Sequence, residues 1–249
     1  VSWHLLAQVN FAYPLGYKLL HLENHIAEYA PLNRYKSGFE QTTEEEHWRL
    51  FGDITDGIQH HGNNLDKIYY QTTDGQKTQL LHEAELIHLH DVAHLIDTFY
   101  QVGIVCMILW AALLAVAYRQ KIPVPSIKKI LLGFLSGIVV LSLLVIAIGA
   151  KDVFYWFHVK IFPDNHQWFF YYQDSLMTTL MKAPDIFAFI ALLLLCVWVL
   201  LWCGSLWLMA TYFSRTASTQ AAVTTQAPNT SPKSKPSKKS TRSKKSSKP

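Results

Sequence analysis

The stretch HEAELIHLHDVAHLID, residues 82–97, gathers four histidines, two glutamates and two aspartates just ahead of an apolar run. At about 100° per residue, Glu85, His88, Asp91 and Leu95 form a drifting stripe along one side of a helix. His88 then has a carboxylate one turn before it and another one turn after. A carboxylate beside an imidazole fixes its tautomer and favours its protonated form, which suits general acid–base chemistry. His90 and His94 are four residues apart, a metal-ligand spacing, but Asp91 stands where H-E-x-x-H has its glutamate. A metal site there needs a further ligand, for which His60 or His61 is the candidate. A second isolated histidine, His158, lies in YWFHVKIF within an aromatic-rich stretch. The bland alternative makes His88 and His158 polar anchors at a membrane edge, in a protein of binding or scaffold type.

The elements that must position these groups are mostly membrane helices. Val102–Tyr118, Ile130–Ala150 and Ile186–Phe213 are apolar runs without Asp, Glu, Lys, Arg or His. Their lengths fit spanning helices, the third with room to tilt; a buried core helix is the alternative for the first. The connector RQKIPVPSIKK carries Arg119, Lys121, Lys128 and Lys129, and the C-terminal tail is rich in lysine. Positive loops stay in the cytoplasm, so the connector and tail are cytoplasmic and residues 1–99 and 151–185 lie together outside. The formal charge of +4 comes from the tail. With residues 1–99 outside, something must export them. Either a spanning helix precedes Val1, with VSWHLLAQVNFAYPLGY as its outer end, or a signal peptide has been cleaved. Cys106, Cys196 and Cys203 all fall inside the apolar runs, so the external portion has no disulfide framework and the thiols are packing groups.

Residues 1–99 read as a folded cap leading into a helix. TTEEEHWRLFGDITDGIQHHG opens with a capping box, Thr43 with Glu46, and Trp48, Phe51, Ile54 and Ile58 recur at helical spacing. Gly62 can end that helix. Asp74-Gly75 in KIYYQTTDGQKTQL suits a turn between two short strands. From Leu80 no Gly or Pro intervenes before Gly103, so one helix runs from the cap into the membrane. The fold is therefore mainly α: a polytopic bundle over residues 100–213, with an aromatic external loop at 151–185 and a cap of helices and a small β-hairpin. From Ser214 to Pro249 the composition turns to Ser, Thr, Lys and Pro, which predicts a disordered tail. Its lysines suit anionic lipid headgroups. Without interleaved aromatics, nucleic acid is not an expected partner.

Taken together, EAELIHLHDV, FHVKIFPDNHQW and the APDIF entry to the last helix resemble the bacterial lipoprotein intramolecular transacylases, Lit. The resemblance covers roughly Leu80–Trp207. It implies a four-helix protein of the bacterial cytoplasmic membrane with an extracytoplasmic cap, hence an absent first span before Val1. It also implies an intramolecular acyltransferase whose partners are the diacylated N-terminus of a lipoprotein and membrane lipids. The acyl chain passes from the glyceryl sn-2 ester to the α-amine of the N-terminal cysteine, leaving a lyso-form lipoprotein. The family's two catalytic histidines fall on His88 and His158, with Glu85 and Asp91 in support. Trp156, Phe157, Phe162 and Trp168 are expected to line the substrate, and neither metal nor cofactor is implied. The long early cap and the basic tail depart from the family pattern, which points to a divergent branch whose substrate differs.

The chemistry is compatible with the residues present. Ester-to-amine transfer runs downhill, and the chain has neither a G-x-S-x-G elbow nor a P-loop. One histidine would accept a proton from the ammonium while the other delivers one to the glyceryl oxygen. Proximity of amine and ester would add further acceleration. Sequence does not say which histidine does which. If the membrane begins near Phe99, His88 lies about 16 Å further along the helix at 1.5 Å per residue. The headgroup zone is only about 5–8 Å deep. Either the helix tilts strongly or its polar start sinks into the interface; the resemblance implies the second.

Overall fold

Thr43 starts the longest helix of the cap, α4 (Glu44–Gln59): its hydroxyl accepts from the Glu46 N–H at 3.3 Å, and three glutamates fill the first turn. Those charges complement the positive end of the helix dipole. Glu46 does not close a capping box, because its carboxylate holds Arg49 at 2.6 and 2.8 Å. Phe51 and Ile54 are buried, while Trp48 and Ile58 pack on the core only partly covered. The structure, a computed structural model, describes residues 1–72, 74–120 and 126–225, with side chains described up to Leu208 except at position 150. Its first compact unit is Val1–Leu206.

Before α4 come three short helices, α1 (Ser2–Ala7), α2 (Tyr13–Leu19) and α3 (Leu22–Tyr29). They are joined through left-handed residues that are not glycine: Asn10, Phe11 and Ala12 at φ 47°, 52° and 52°, and His21 at 53°. Such a backbone persists only where packing over-determines it. Phe11, Tyr13, Tyr17, Leu22 and Ile26 are all buried in the core that supplies that packing.

After α4, β1 (Tyr69–Gln71) pairs antiparallel with β2 (Lys77–Gln79), Tyr70 opposite Thr78, and Gly75 takes φ +87° in the turn. The Tyr70 hydroxyl donates to the Ser37 carbonyl at 2.8 Å, which ties the hairpin to the early cap. A single helix then runs 37 residues, α5 (Glu83–Arg119). Its first turns belong to the cap, burying Glu85, Leu89, Ala93 and Ile96. From Phe99 onward its large apolar side chains are exposed.

α6 (Ile127–Ile148) buries no residue, and Gly149 at φ +101° turns the chain into α7 (Ala150–Ile161). α8 (Leu176–Met181) follows, and then α9 (Asp185–Thr225). Among the described residues, three helices are long and apolar enough to cross a membrane: α5, α6 and the Asp185–Leu208 part of α9. Exposed leucine and valine along such helices are what a lipid environment covers. Cys106, Cys196 and Cys203 are free thiols.

The segment before α9 is more than an interfacial loop. Leu176, Leu180 and Ile186 join the cap core. The Tyr13 hydroxyl donates to the Leu180 carbonyl at 2.7 Å, and Lys182 donates to the Leu20 carbonyl at 2.9 Å. Arg34 adds a backbone bond to Gln173 at 2.8 Å and an ion pair with Asp174 at 3.0 Å. The second unit starts at Trp207 and contains the end of α9. Helix continues to Thr225, so the compositional break at Ser214 does not coincide with the helix end. The remainder of the tail and Lys121 of the connector lie outside the described residues.

Candidate active site

His158 stands on the last turns of α7, where its Nδ1 donates to the Phe154 carbonyl at 2.8 Å. A carbonyl only accepts, so Nδ1 carries the hydrogen and the neutral ring keeps its lone pair on Nε2. Aromatic rings enclose it: Phe154, Trp168 and Phe162 have centroids 3.9, 4.9 and 5.4 Å away. Burial pushes this imidazole below its ordinary pKa, and the bond to Phe154 only partly opposes the shift. Neutral His158 is the resting form at neutral pH.

His88 reaches the same wall from α5. Its ring lies 5.0 Å from Phe162 and 6.0 Å from Phe170. Phe162, only 8 % exposed, therefore touches both histidines. Among the described residues neither nitrogen of His88 has a hydrogen-bond partner. The fold thus brings together two imidazoles separated by seventy positions in sequence, on a surface of rings.

The two carboxylates flanking His88 are engaged elsewhere. Glu85 is fully buried and accepts from the His82 N–H at 2.7 Å, from Ser175 Oγ at 2.5 Å and from the Met177 N–H at 3.3 Å. It also pairs with the His82 ring. These bonds cap α5 and pin it to the start of α8, and none of them reaches His88. Asp91 pairs with His166 Nδ1 at 2.6 Å, tying α5 to the segment after α7. His166 escaped the sequence reading, although it lies in the same FPDNHQW motif as a turn residue, its N–H on the Pro163 carbonyl at 3.0 Å. Nothing local to that motif announces a partner on another helix.

Of the aromatics expected to line the substrate, Phe162 and Trp168 contact the histidines directly. Phe157 sits 6.0 Å from His158 and is 41 % exposed. Trp156 is 64 % exposed and has no ring contact among the described residues. Phe154 and Phe170 complete the wall, and composition alone could not single them out from the other rings of that segment.

The metal alternative finds no ligand set. Among the described residues no three His, Cys, Asp or Glu groups are placed to hold an ion. His61 is bonded to Asp97 at 2.8 Å and His60 to the Asp56 carbonyl at 2.9 Å. His90 instead packs on Gly62, where its imidazole fills the space a Cβ would need. His94 stays exposed at the surface of α5.

The family model for Lipoprotein intramolecular transacylase Lit matches residues 55–184, slightly over half of the 249-residue chain. The matched stretch includes His88, His158, Glu85, Asp91 and His166. No curated protein and no solved structure matches the chain.

Proposed function

The chain belongs to the Lit family of lipoprotein intramolecular transacylases, and from that premise we propose that His88 and His158 move an acyl chain within a bacterial lipoprotein. The chain leaves the glyceryl sn-2 ester and arrives on the α-amine of the N-terminal cysteine. A C–N bond forms, a C–O bond breaks, and the product is a lyso-form lipoprotein.

The observation that carries this reading is the pair of imidazoles flanking Phe162, one of them fixed as a base. The cysteine ammonium first loses one proton to water. As the amine attacks the ester carbonyl, its nitrogen sheds a second proton to His158 Nε2. That proton crosses to His88, and His88 delivers it to the departing glyceryl oxygen. Both imidazoles begin and end neutral, which suits their low-dielectric setting. Rings on either side can hold the apolar chains while amine and ester meet, so proximity supplies much of the rate. Glu85 and Asp91 support the site by placement: one holds the start of α5, the other holds His166.

The clustering of Lys and Arg in residues 119–129 and in the tail supports a multi-pass arrangement with the cap and site extracytoplasmic. The tail, cytoplasmic in this arrangement, would rest on anionic lipids. Mass spectrometry of lipoprotein N-termini, from cells with and without the intact gene, tests the reaction. N-acylated lyso-forms that vanish with the gene are expected. Identical N-termini in both strains would contradict it.

A further inference from the structure

Four large apolar side chains on the first two helices of the cap are uncovered. Leu5 of α1, Val9 just beyond it, and Leu15 and Leu19 of α2 are 48, 59, 54 and 60 % exposed. Leu15 and Leu19 are four residues apart and share one helical face. α2 turns Tyr13, Gly16 and Tyr17 inward and leaves only Lys18 exposed beside those leucines. The next cap helices face outward differently: α3 shows Glu23, Asn24 and Glu28, and α4 shows Glu45, Arg49 and Asp56. A single exposed leucine is ordinary, but two adjoining helices that turn leucine and valine outward form a patch that marks an interaction surface.

α1 and α2 flank two of the membrane helices where these leave the cap. Gly16 lies so close to α9 that a Cβ there would meet Ile186 at 2.8 Å and Phe189 at 2.9 Å. The His4 ring of α1 stands 6.3 Å from that of Tyr100 on α5. At these contacts the spans begin to turn apolar side chains outward, Phe99 and Val102 on α5 and Phe187 on α9. Lipid covers such side chains on a helix that crosses a bilayer. The outward leucines of α1 and α2 adjoin that lipid-covered surface.

We propose that α1 and α2 dock the cap on the bilayer, lying between headgroups and acyl chains with Leu5, Val9, Leu15 and Leu19 seated in lipid. Amphipathic helices of this kind sink about 5–10 Å into that boundary. Lys18, ion-paired with Glu44, keeps its ammonium at the aqueous edge while its stem follows the apolar side. The partner is a lipid surface because the patch continues helices that are themselves in the bilayer. Residues 1–19 precede the family-matched stretch. The docking concerns how the cap is seated, so it stands or falls separately from acyl transfer.

The test uses the full purified chain in phosphatidylcholine nanodiscs. With Cys106, Cys196 and Cys203 replaced by alanine, a fluorescent label is attached through Leu15→Cys, Leu19→Cys or, as the aqueous reference, Asn24→Cys. Lipids carry a quenching nitroxide either near the head of the acyl chain or at its far end. The labels at Leu15 and Leu19 should be quenched at least about threefold more than the label at Asn24, and more by the shallow nitroxide than by the deep one. Hydroxyl-radical footprinting of the unsubstituted chain gives a check free of labels. Leu5, Val9, Leu15 and Leu19 should stay unoxidised, while Tyr69, 46 % exposed and bonded through its carbonyl to Arg49 of α4, is oxidised. Equal quenching at all three positions, or oxidation of the four apolar residues, would overturn the proposal. Unquenched Leu15→Cys that forms a disulfide-linked dimer would overturn it in favour of a second copy.

Discussion

His47 in the cap and His158 at the aromatic wall are both kept neutral by burial, yet only one of them is equipped for chemistry. His47 is 4 % exposed, with Nδ1 on the Tyr17 hydroxyl at 2.9 Å and Nε2 on the Thr42 hydroxyl at 2.7 Å. Burial pushes its pKa down to about 4 despite the neighbouring Glu44, Glu45 and Glu46. Both nitrogens are used, so the ring is a structural cross-link. His158 bonds through Nδ1 alone, and its Nε2 has no partner among the described residues. An imidazole with one fixed and one open nitrogen can move a proton. Burial by itself distinguishes nothing; the count of satisfied nitrogens does.

Substitution should separate the two regions sharply. His158→Ala is expected to lower acyl transfer by about 10²–10⁴-fold, the usual worth of a positioned acid–base group, with little change in melting temperature. His47→Ala should do the reverse. It strands the buried Tyr17 hydroxyl and takes one bond from Thr42, whose hydroxyl still donates to the Phe39 carbonyl, at a cost of about 1–3 kcal/mol, while the activity of the folded fraction persists. Thermal melts and turnover per folded molecule check both. Large loss of activity without destabilisation in His47→Ala would erase the distinction.

Glu85 tests whether carboxylates serve chemistry or placement. The sequence pattern had it tuning His88, but its oxygens are bonded to His82, Ser175 and Met177. Glu85→Ala should destabilise by about 2–3 kcal/mol, because buried charge-assisted hydrogen bonds disappear. Glu85→Gln should melt lower than the parent and keep the pH profile of transfer. A displaced profile with unchanged melting would return Glu85 to His88.

Smaller effects concern the Asp91–His166 pair and pH. Asp91→Asn and His166→Gln should each slow transfer about fivefold, and together no more than either alone, as expected of one coupled unit. Transfer needs neutral His158, whose pKa lies below its ordinary value of 6.5. Activity should therefore persist as pH falls past 6.5 and fail only lower. His47 shows the same sign in stability. Between 6.5 and about 4 the unfolded chain binds a proton that the folded one refuses, so stability falls as pH drops through that window. Melting temperature against pH should lose this slope in His47→Gln.

Much of the scaffold could be read in the sequence, because its signals are local. Three uninterrupted apolar runs, the Thr43 cap, the Asp74-Gly75 turn and a Gly-free stretch after Leu80 each specify their element within a few residues. The early cap could not be read this way. Its helices are joined by left-handed Asn10, Phe11, Ala12 and His21, residue types that do not mark such a backbone. Their conformation depends on a core completed by Leu176, Leu180 and Ile186, far along the chain. The site divides along the same line. His88 and His158 could be singled out by motif. The Ser175–Glu85 and His166–Asp91 bonds span 90 and 75 positions, and local spacing has no access to them.

Sidedness has its own check. A cysteine placed at Asn165 should react with an impermeant thiol reagent in spheroplasts, and one placed at Ser237 only after the cells are opened. The opposite pattern would move the aromatic wall to the cytoplasmic face.

The most direct measurement of the paired-imidazole account is acyl transfer by the purified, reconstituted protein, comparing His88→Ala, His158→Ala and the double variant. N-acylated lyso-lipopeptide would be quantified by mass spectrometry under single-turnover conditions. If one proton passes through both rings, each single variant loses nearly all transfer and the double is hardly worse, since members of one catalytic unit are not additive. Parental rates in either single variant, or losses that multiply in the double, would contradict it.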